Sequence, residues 1–247
     1  CALPVHPGKL KDPKVARKCW NREFPAAEFI VLVDAFQYRK LKATRSVVLI
    51  VYNRPVHKDM LLPLGRLRDL PERIWEADAV IVTKCPAEMD DFAKASFASD
   101  MGFSDFLPSE CEATNPLGKR QLLFFTTIRY GAVEGVYPTA EPRYSYAKKA
   151  IVVTGIAKDG PLRAHLSDSY KIVQRFSFPD HHRYGWKDIN RIQNAVDAQP
   201  TAAVITTEKD AQRLLDFGGM PEKLMQRLLM APISVDFLSD EERERFT

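Results

Sequence analysis

Five compact apolar runs punctuate the chain: Phe29–Asp34 (FIVLVD), Ser46–Tyr52 (SVVLIVY), Ala79–Lys84 (AVIVTK), Ala150–Ile156 (AIVVTGI) and Ala202–Thr207 (AAVITT). Their apolarity is continuous rather than alternating and rich in β-branched residues, which predicts strands covered on both faces, as in a parallel sheet. Amphipathic segments over Asp12–Glu23, Pro86–Met101 and Trp186–Gln199 predict helices. Pro13 and Pro86 sit where helices start, and Gly102 where one ends. Strands alternating with helices predict an α/β layered fold.

The pattern changes over Phe103–Arg120, where Pro108, Asn115, Pro116 and Gly118 interrupt any period. Two strand-like runs follow, Leu122–Tyr130 and Ala132–Tyr137, separated by Gly131, and they predict a hairpin or extended pair. We therefore expect an N-terminal α/β domain over residues 1–120, a β hinge and linker over 121–148, and a smaller C-terminal α/β lobe over 149–247.

Composition narrows the classes. The chain has 247 residues, 45% hydrophobic and 28% charged, with a net charge of +4. That is ordinary for a globular protein. The small basic excess suits phosphate-bearing ligands or an anionic membrane surface, and no basic stripe argues for nucleic acid. Cys1, Cys19, Cys85 and Cys111 have no CxxC spacing, which predicts free thiols in a reducing cytoplasm. No apolar run reaches the length of a bilayer-spanning helix, so membrane contact is expected to be peripheral. The chain opens on Cys1 without a Met, and we expect a start further upstream.

Ligands of parallel α/β sheets gather at the carboxyl ends of strands. The first predicted strand ends in Asp34, followed by Gln37; an acid there has the form of a Mg²⁺ ligand or of a turn cap. Beyond the second lies LPLGRLRD, whose Arg66 and Arg68 could grip phosphate or form a solvated basic turn. Lys84 closes the third strand, and Gly155 follows the fourth, where a ligand or packing demands a bare backbone. Thr207 and Asp210 resemble a capping box, which leaves Lys209 unexplained. The stretch FPDHHRY, Phe178–Tyr184, follows a strand-like run and holds Asp180, His181 and His182. It reads as a polar turn or a catalytic loop.

DAFQYR, YNRP, KDMLLPLGRLRD, ADAVIVTKCP, VVTGIA, FPDHHRY and ITTEKDA occur together, in this order. This series resembles the tetraacyldisaccharide 4'-kinases of lipid A biosynthesis, from about Phe29 to Asp210. The resemblance implies a three-layer α/β/α P-loop-type core, here incomplete, a two-stranded hinge and a smaller C-terminal α/β lobe. It implies ATP and Mg²⁺, a disaccharide lipid substrate, and peripheral work at the cytoplasmic face of the bacterial inner membrane. It makes Asp34 the Mg²⁺ ligand with Gln37 beside it, and Arg66 and Arg68 phosphate contacts. Lys84 and Lys209 fall in nucleotide-binding motifs. His181 becomes the catalytic histidine that pairs with an upstream aspartate, and Asp180 its neighbour in the loop. The sequence departs from the family pattern in having no GxxxxGK[ST] and in carrying Val33, Val51 and Tyr38 where the family has Asp, Asp and His. A degenerate, non-catalytic lipid- or nucleotide-binding homologue is the alternative. A metal-dependent hydrolase built on Asp180, His181 and His182 is a third reading, disfavoured because adjacent histidines seldom share one ion.

Overall fold

The computed structural model describes residues 31–37 and 43–247. In chain order its first elements are β1 (Val47–Val51), β2 (Ala79–Thr83), α1 (Asp91–Asp100), β3 (Ser104–Leu107), β4 (Glu112–Thr114) and β5 (Arg120–Tyr130). Next come β6 (Glu134–Gly135), β7 (Lys149–Thr154), α2 (Gly160–Ser167), β8 (Lys171–Ser177), α3 (Trp186–Ala198) and β9 (Ala203–Thr207). The chain closes with α4 (Glu208–Leu215), α5 (Glu222–Met225), β10 (Leu228–Ala231), β11 (Ile233–Phe237) and α6 (Asp240–Phe246). Two compact units emerge. One contains the described residues up to Thr127 together with Asp236–Thr247, and the other is Ile128–Val235.

The first unit is built on a sheet of order β1-β2-β5-β4-β3, with β11 also pairing with β5. β1, β2 and β5 run parallel, whereas β4 and β3 are antiparallel additions. Ile50, Val80, Val82, Leu123 and Phe125 project to one face and pack against Phe97 and Ala98 of α1. The helix begins later than Pro86 because the Asp90 carboxylate accepts the Ala93 N–H at 2.8 Å and caps it. The aperiodic stretch before β5 conceals β3 and β4. Its polar residues are used internally: Gln121 donates to the carbonyls of Ile74 and Ala77 at 2.8 Å, and Asn115 to that of Trp75 at 3.1 Å. Such buried amides are tolerated because they are paired.

Two expectations change here. The described part of FIVLVD, Val31–Asp34, is a coil leading into a turn rather than a strand. Val31 and Val33 stand 57% and 53% exposed. An apolar run becomes a strand only where ladder and packing partners receive it. The run after Gly131 does not fold back on β5 as a hairpin would, since β6 pairs antiparallel with β10. The predicted helix over Asp12–Glu23 lies outside the described residues.

The second unit has a sheet of order β6-β10-β9-β7-β8, in which β10, β9, β7 and β8 are parallel. Continuous apolarity in β7 and β9 has a direct cause. Ile151, Val153 and Val204 meet Ile189, Ile192 and Val196 of α3 on one face. Ala150, Val152, Ala203 and Ile205 meet Leu162 and Leu166 of α2 on the other. The chain leaves β7 for β8 on one side and returns to β9 on the other, so the strand order reverses at β7. A crevice at the carboxyl ends is expected at such a switch point.

Candidate functional site

The residues around that switch point are tied together by one carboxylate. Asp210, in the first turn of α4, is fully buried. Its Oδ2 accepts the Gly155 N–H at 2.8 Å, just beyond β7, and the Thr207 hydroxyl, also at 2.8 Å. Its Oδ1 accepts Arg213 Nη1 at 2.9 Å, and that nitrogen also donates to the Gly155 carbonyl at 3.0 Å. A buried charge is sustained only by such pairing. Gly155 is dictated by this closeness, because a Cβ there would lie 2.9 Å from Asp210 Oδ1 and 3.3 Å from the Tyr184 hydroxyl. Burial, and then the Asp210 charge, push the Tyr184 phenol well above its usual range.

FPDHHRY supplies the outer wall. His181 has φ of 61°, and its N–H donates to Asp180 Oδ1 at 2.9 Å. Its ring is 84% exposed, with Nε2 3.7 Å from Asp180 Oδ2, and Nδ1 3.4 Å from Arg213 Nη2. His182 turns to a different task. It stacks on Phe178 at 4.4 Å, meets the edge of Tyr184, and bonds Asp188 Oδ2 through Nε2 at 2.9 Å. Partial burial alone would raise Asp188, but the His182 ring and the Gly185 N–H hold its carboxyl below the usual carboxylate range. The two imidazoles therefore have separate partners. Among the described residues no group of three or more His, Cys, Asp or Glu is arranged to hold a metal ion. His181, His182, Arg183, Tyr184 and Arg213 line an open concavity of about 500 Å³. Lys209 is exposed in the first turn of α4, one residue before Asp210.

The first unit carries the other candidates. Asp34 and Gln37 are exposed in turns, and Phe36 between them lies under the Arg73 guanidinium at 5.4 Å. Arg66 and Arg68 are exposed in a loop closed by backbone bonds, Leu67 N–H to Met60 carbonyl at 3.0 Å and Leu62 N–H to Leu67 carbonyl at 2.9 Å. Asp59 braces it by accepting the Arg66 N–H at 3.2 Å. Gly65 is required, since a Cβ would fall 2.0 Å from the Met60 carbonyl oxygen. Lys84 is exposed directly after β2. A larger concavity, about 690 Å³, is lined by Arg45, Asp78, Ala79 and Phe124 among others. It includes the amino-terminal ends of β1 and β2 and none of the candidates, so the strand-exit rule favours the smaller one.

One geometric signature links the candidates. Only five described residues other than glycine have positive φ: Asp34, Lys84, Asp105, Cys111 and His181. Three of them are strand-exit candidates. Left-handed backbone at non-glycine residues is costly and concentrates at functional sites. Cys85 and Cys111 are buried, and burial lifts their thiols to about 12 and about 11, which makes them inert packing groups.

The family model for tetraacyldisaccharide-1-P 4'-kinase, LpxK, matches residues 13–246. The chain belongs to this family. A tetraacyldisaccharide 4'-kinase from Parabacteroides distasonis is 32% identical over 224 residues, covering 88% of this chain and 57% of that protein. Its counterparts in Phocaeicola vulgatus and Porphyromonas gingivalis are 30% and 31% identical, covering 92% and 91% of this chain and 60% of each relative. The chain thus spans 57–60% of the length of these relatives. A crystal structure of LpxK from Aquifex aeolicus in complex with ATP superposes with a TM-score of 0.56 at 20% identity, over 92% of this chain and 59% of that one. That likeness establishes a shared fold.

Asp210, Arg213, Tyr184 and Asp188 were not legible as site residues. Asp210 read as the partner of a Thr207 cap, and its N–H does donate to Thr207 Oγ1 at 3.1 Å. The available signal was an arginine three residues later on the same helix, which places an acid and a base on one face.

Proposed function

We propose that this chain works in an ATP-dependent kinase that phosphorylates the 4' hydroxyl of a tetraacyl-glucosamine disaccharide 1-phosphate. The observation that carries this reading is the coincidence of family motifs with left-handed backbone at Asp34, Lys84 and His181. In this assignment His181, beside Asp180, orients the acceptor hydroxyl together with an acidic partner. Arg66 and Arg68 present guanidinium forks to phosphate oxygens. Lys84, Lys209 and Gln37 contact the nucleotide.

The residues fit Mg²⁺ as the ion is usually held. Mg²⁺ takes one or two carboxylates plus substrate phosphates rather than a protein cage, and Asp34 offers one exposed carboxylate. When bound, the ion would neutralise charge on the transferring phosphoryl group. These 247 residues contain no GxxxxGK[ST] loop to cradle a triphosphate, so transfer requires that segment from elsewhere.

The lipid substrate also suits peripheral membrane contact at the cytoplasmic face of the inner membrane. Met60, Leu61, Leu62 and Leu64 are 40–81% exposed beside Lys58, Arg66 and Arg68, an apolar and basic edge of the kind that meets anionic lipid. Leu64→Asp is expected to weaken sedimentation with phosphatidylglycerol vesicles; unchanged sedimentation would remove this loop from the contact. No helix among the described residues is long and apolar enough to cross a membrane.

The activity test supplies the chain together with the part of the P. distasonis relative that the chain does not span, and measures γ-phosphate transfer to the disaccharide lipid. We expect transfer, and a loss of about 10²-fold or more for His181→Ala. Undiminished activity of that variant would remove His181 from the mechanism. No transfer with that complement would favour the degenerate, non-catalytic homologue.

A further inference from the structure

His181 is the most exposed member of the strand-end cluster, yet its ring is not without a neighbour. Arg213 Nη2 lies 3.4 Å from Nδ1. Guanidinium has five N–H donors and no acceptor, so this contact is a hydrogen bond only when Nδ1 offers its lone pair. In a neutral imidazole the proton then resides on Nε2. The guanidinium is itself tightly held, because Nη1 of the same group donates to Asp210 Oδ1 and to the Gly155 carbonyl. Asp210 is in turn fixed by the Gly155 N–H and the Thr207 hydroxyl. A chain of contacts thus runs from the exit of β7 and the cap of α4 to one ring nitrogen of His181.

We infer that Arg213 is a positioning residue that fixes the tautomer of His181 and turns its Nε2–H outward as a hydrogen-bond donor. The backbone that carries the ring is left-handed, and its N–H donates to Asp180 Oδ1. Asp180 does not consume the donor, because its nearer oxygen is 3.7 Å from Nε2, beyond hydrogen-bond reach. The donor faces solvent on an 84% exposed side chain, available to an oxygen acceptor brought to the site. Held this way, the neutral imidazole has no lone pair free to take a proton. His181 therefore orients an acceptor group rather than serving as the base. His182 lacks this device, as it faces Asp188 and the rings of Phe178 and Tyr184.

The role of Arg213 in catalysis rests on the kinase reading, but the tautomer does not, and the experiment separates them. Imidazole ¹H–¹⁵N correlation spectra of the 247-residue chain are recorded across pH, with His181 assigned through His181→Gln. A solvated imidazole samples both tautomers, whereas the wild-type chain should show only Nε2–H for His181 in its neutral form. Arg213→Lys keeps a cation for Asp210, but a single amine cannot grip that carboxylate and also reach Nδ1. In this variant the Nδ1–H form should become visible. The Gly155 amide resonance, which reports the bond to Asp210, should stay in place. Detectable Nδ1–H tautomer in the wild type overturns the inference whatever the variant does. So does an Nδ1–H form that stays undetectable in Arg213→Lys while the Gly155 resonance holds. In the reconstituted kinase, Arg213→Lys should lower kcat without raising the KM for ATP, and should add nothing to His181→Ala. Absence of any transfer by the wild type would sink the kinase reading and leave the tautomer result standing.

Discussion

Asp210 in the second unit is fully buried and accepts hydrogen bonds from a backbone amide, a hydroxyl and a guanidinium, whereas Asp34 in the first unit is exposed in a turn. The same contrast separates the arginines. Arg213 is bound to a buried carboxylate and a carbonyl, while Arg66 and Arg68 project from a loop closed by backbone contacts. The second unit therefore builds its candidate site from its own side chains. In the first unit the chain sets backbone geometry, through Gly65 and the left-handed Asp34 and Lys84, and leaves the charged groups solvated. Preorganised dipoles act without reorganisation at the moment of reaction, and solvated charges do not.

This difference can be broken by substitution. Asp210→Ala should cost about 3–5 kcal/mol, since it strands Arg213 and the Gly155 amide, and urea unfolding monitored in the second unit measures it. Gly155→Ala should cost about 1–3 kcal/mol by forcing a methyl group against Asp210 and Tyr184. Asp188 gives a smaller, pH-dependent effect. Its carboxyl is depressed in the folded state, so its contribution is present above the ordinary carboxylate pKa of about 4 and is lost as the pH falls through the lower folded value. The wild type should then lose stability on acidification more steeply than Asp188→Asn, and equal slopes would remove the His182–Asp188 pair from the account. Arg68→Ala should change stability by less than about 0.5 kcal/mol, because a solvated side chain leaves nothing unpaired behind.

Much of the second unit was legible because its strands are covered on both faces and its helices are regular. The prediction Trp186–Gln199 lies within one residue of α3, and Ala202–Thr207 within one of β9. The strand-exit rule drew attention to Gly155, FPDHHRY and TTEKDA, which the fold gathers at the reversal of strand order. It did not reveal Arg213, because a helix-surface arginine announces nothing until its acid partner is known to be buried. The first unit was harder to read. β3 and β4 have mixed exposure and pair through contacts whose register depends on β5, so no local period marks them. The described part of FIVLVD, Val31–Asp34, misled in the opposite direction, since propensity alone cannot supply a neighbouring strand.

The contrast between the two units is most directly tested by ¹⁵N relaxation of arginine Nε in the ligand-free chain. Arg213 should be nearly as ordered as the backbone around it, while Arg66 and Arg68 should show the low order of freely rotating side chains. Equal mobility at all three positions would contradict the claim that the second unit holds its site ready-made.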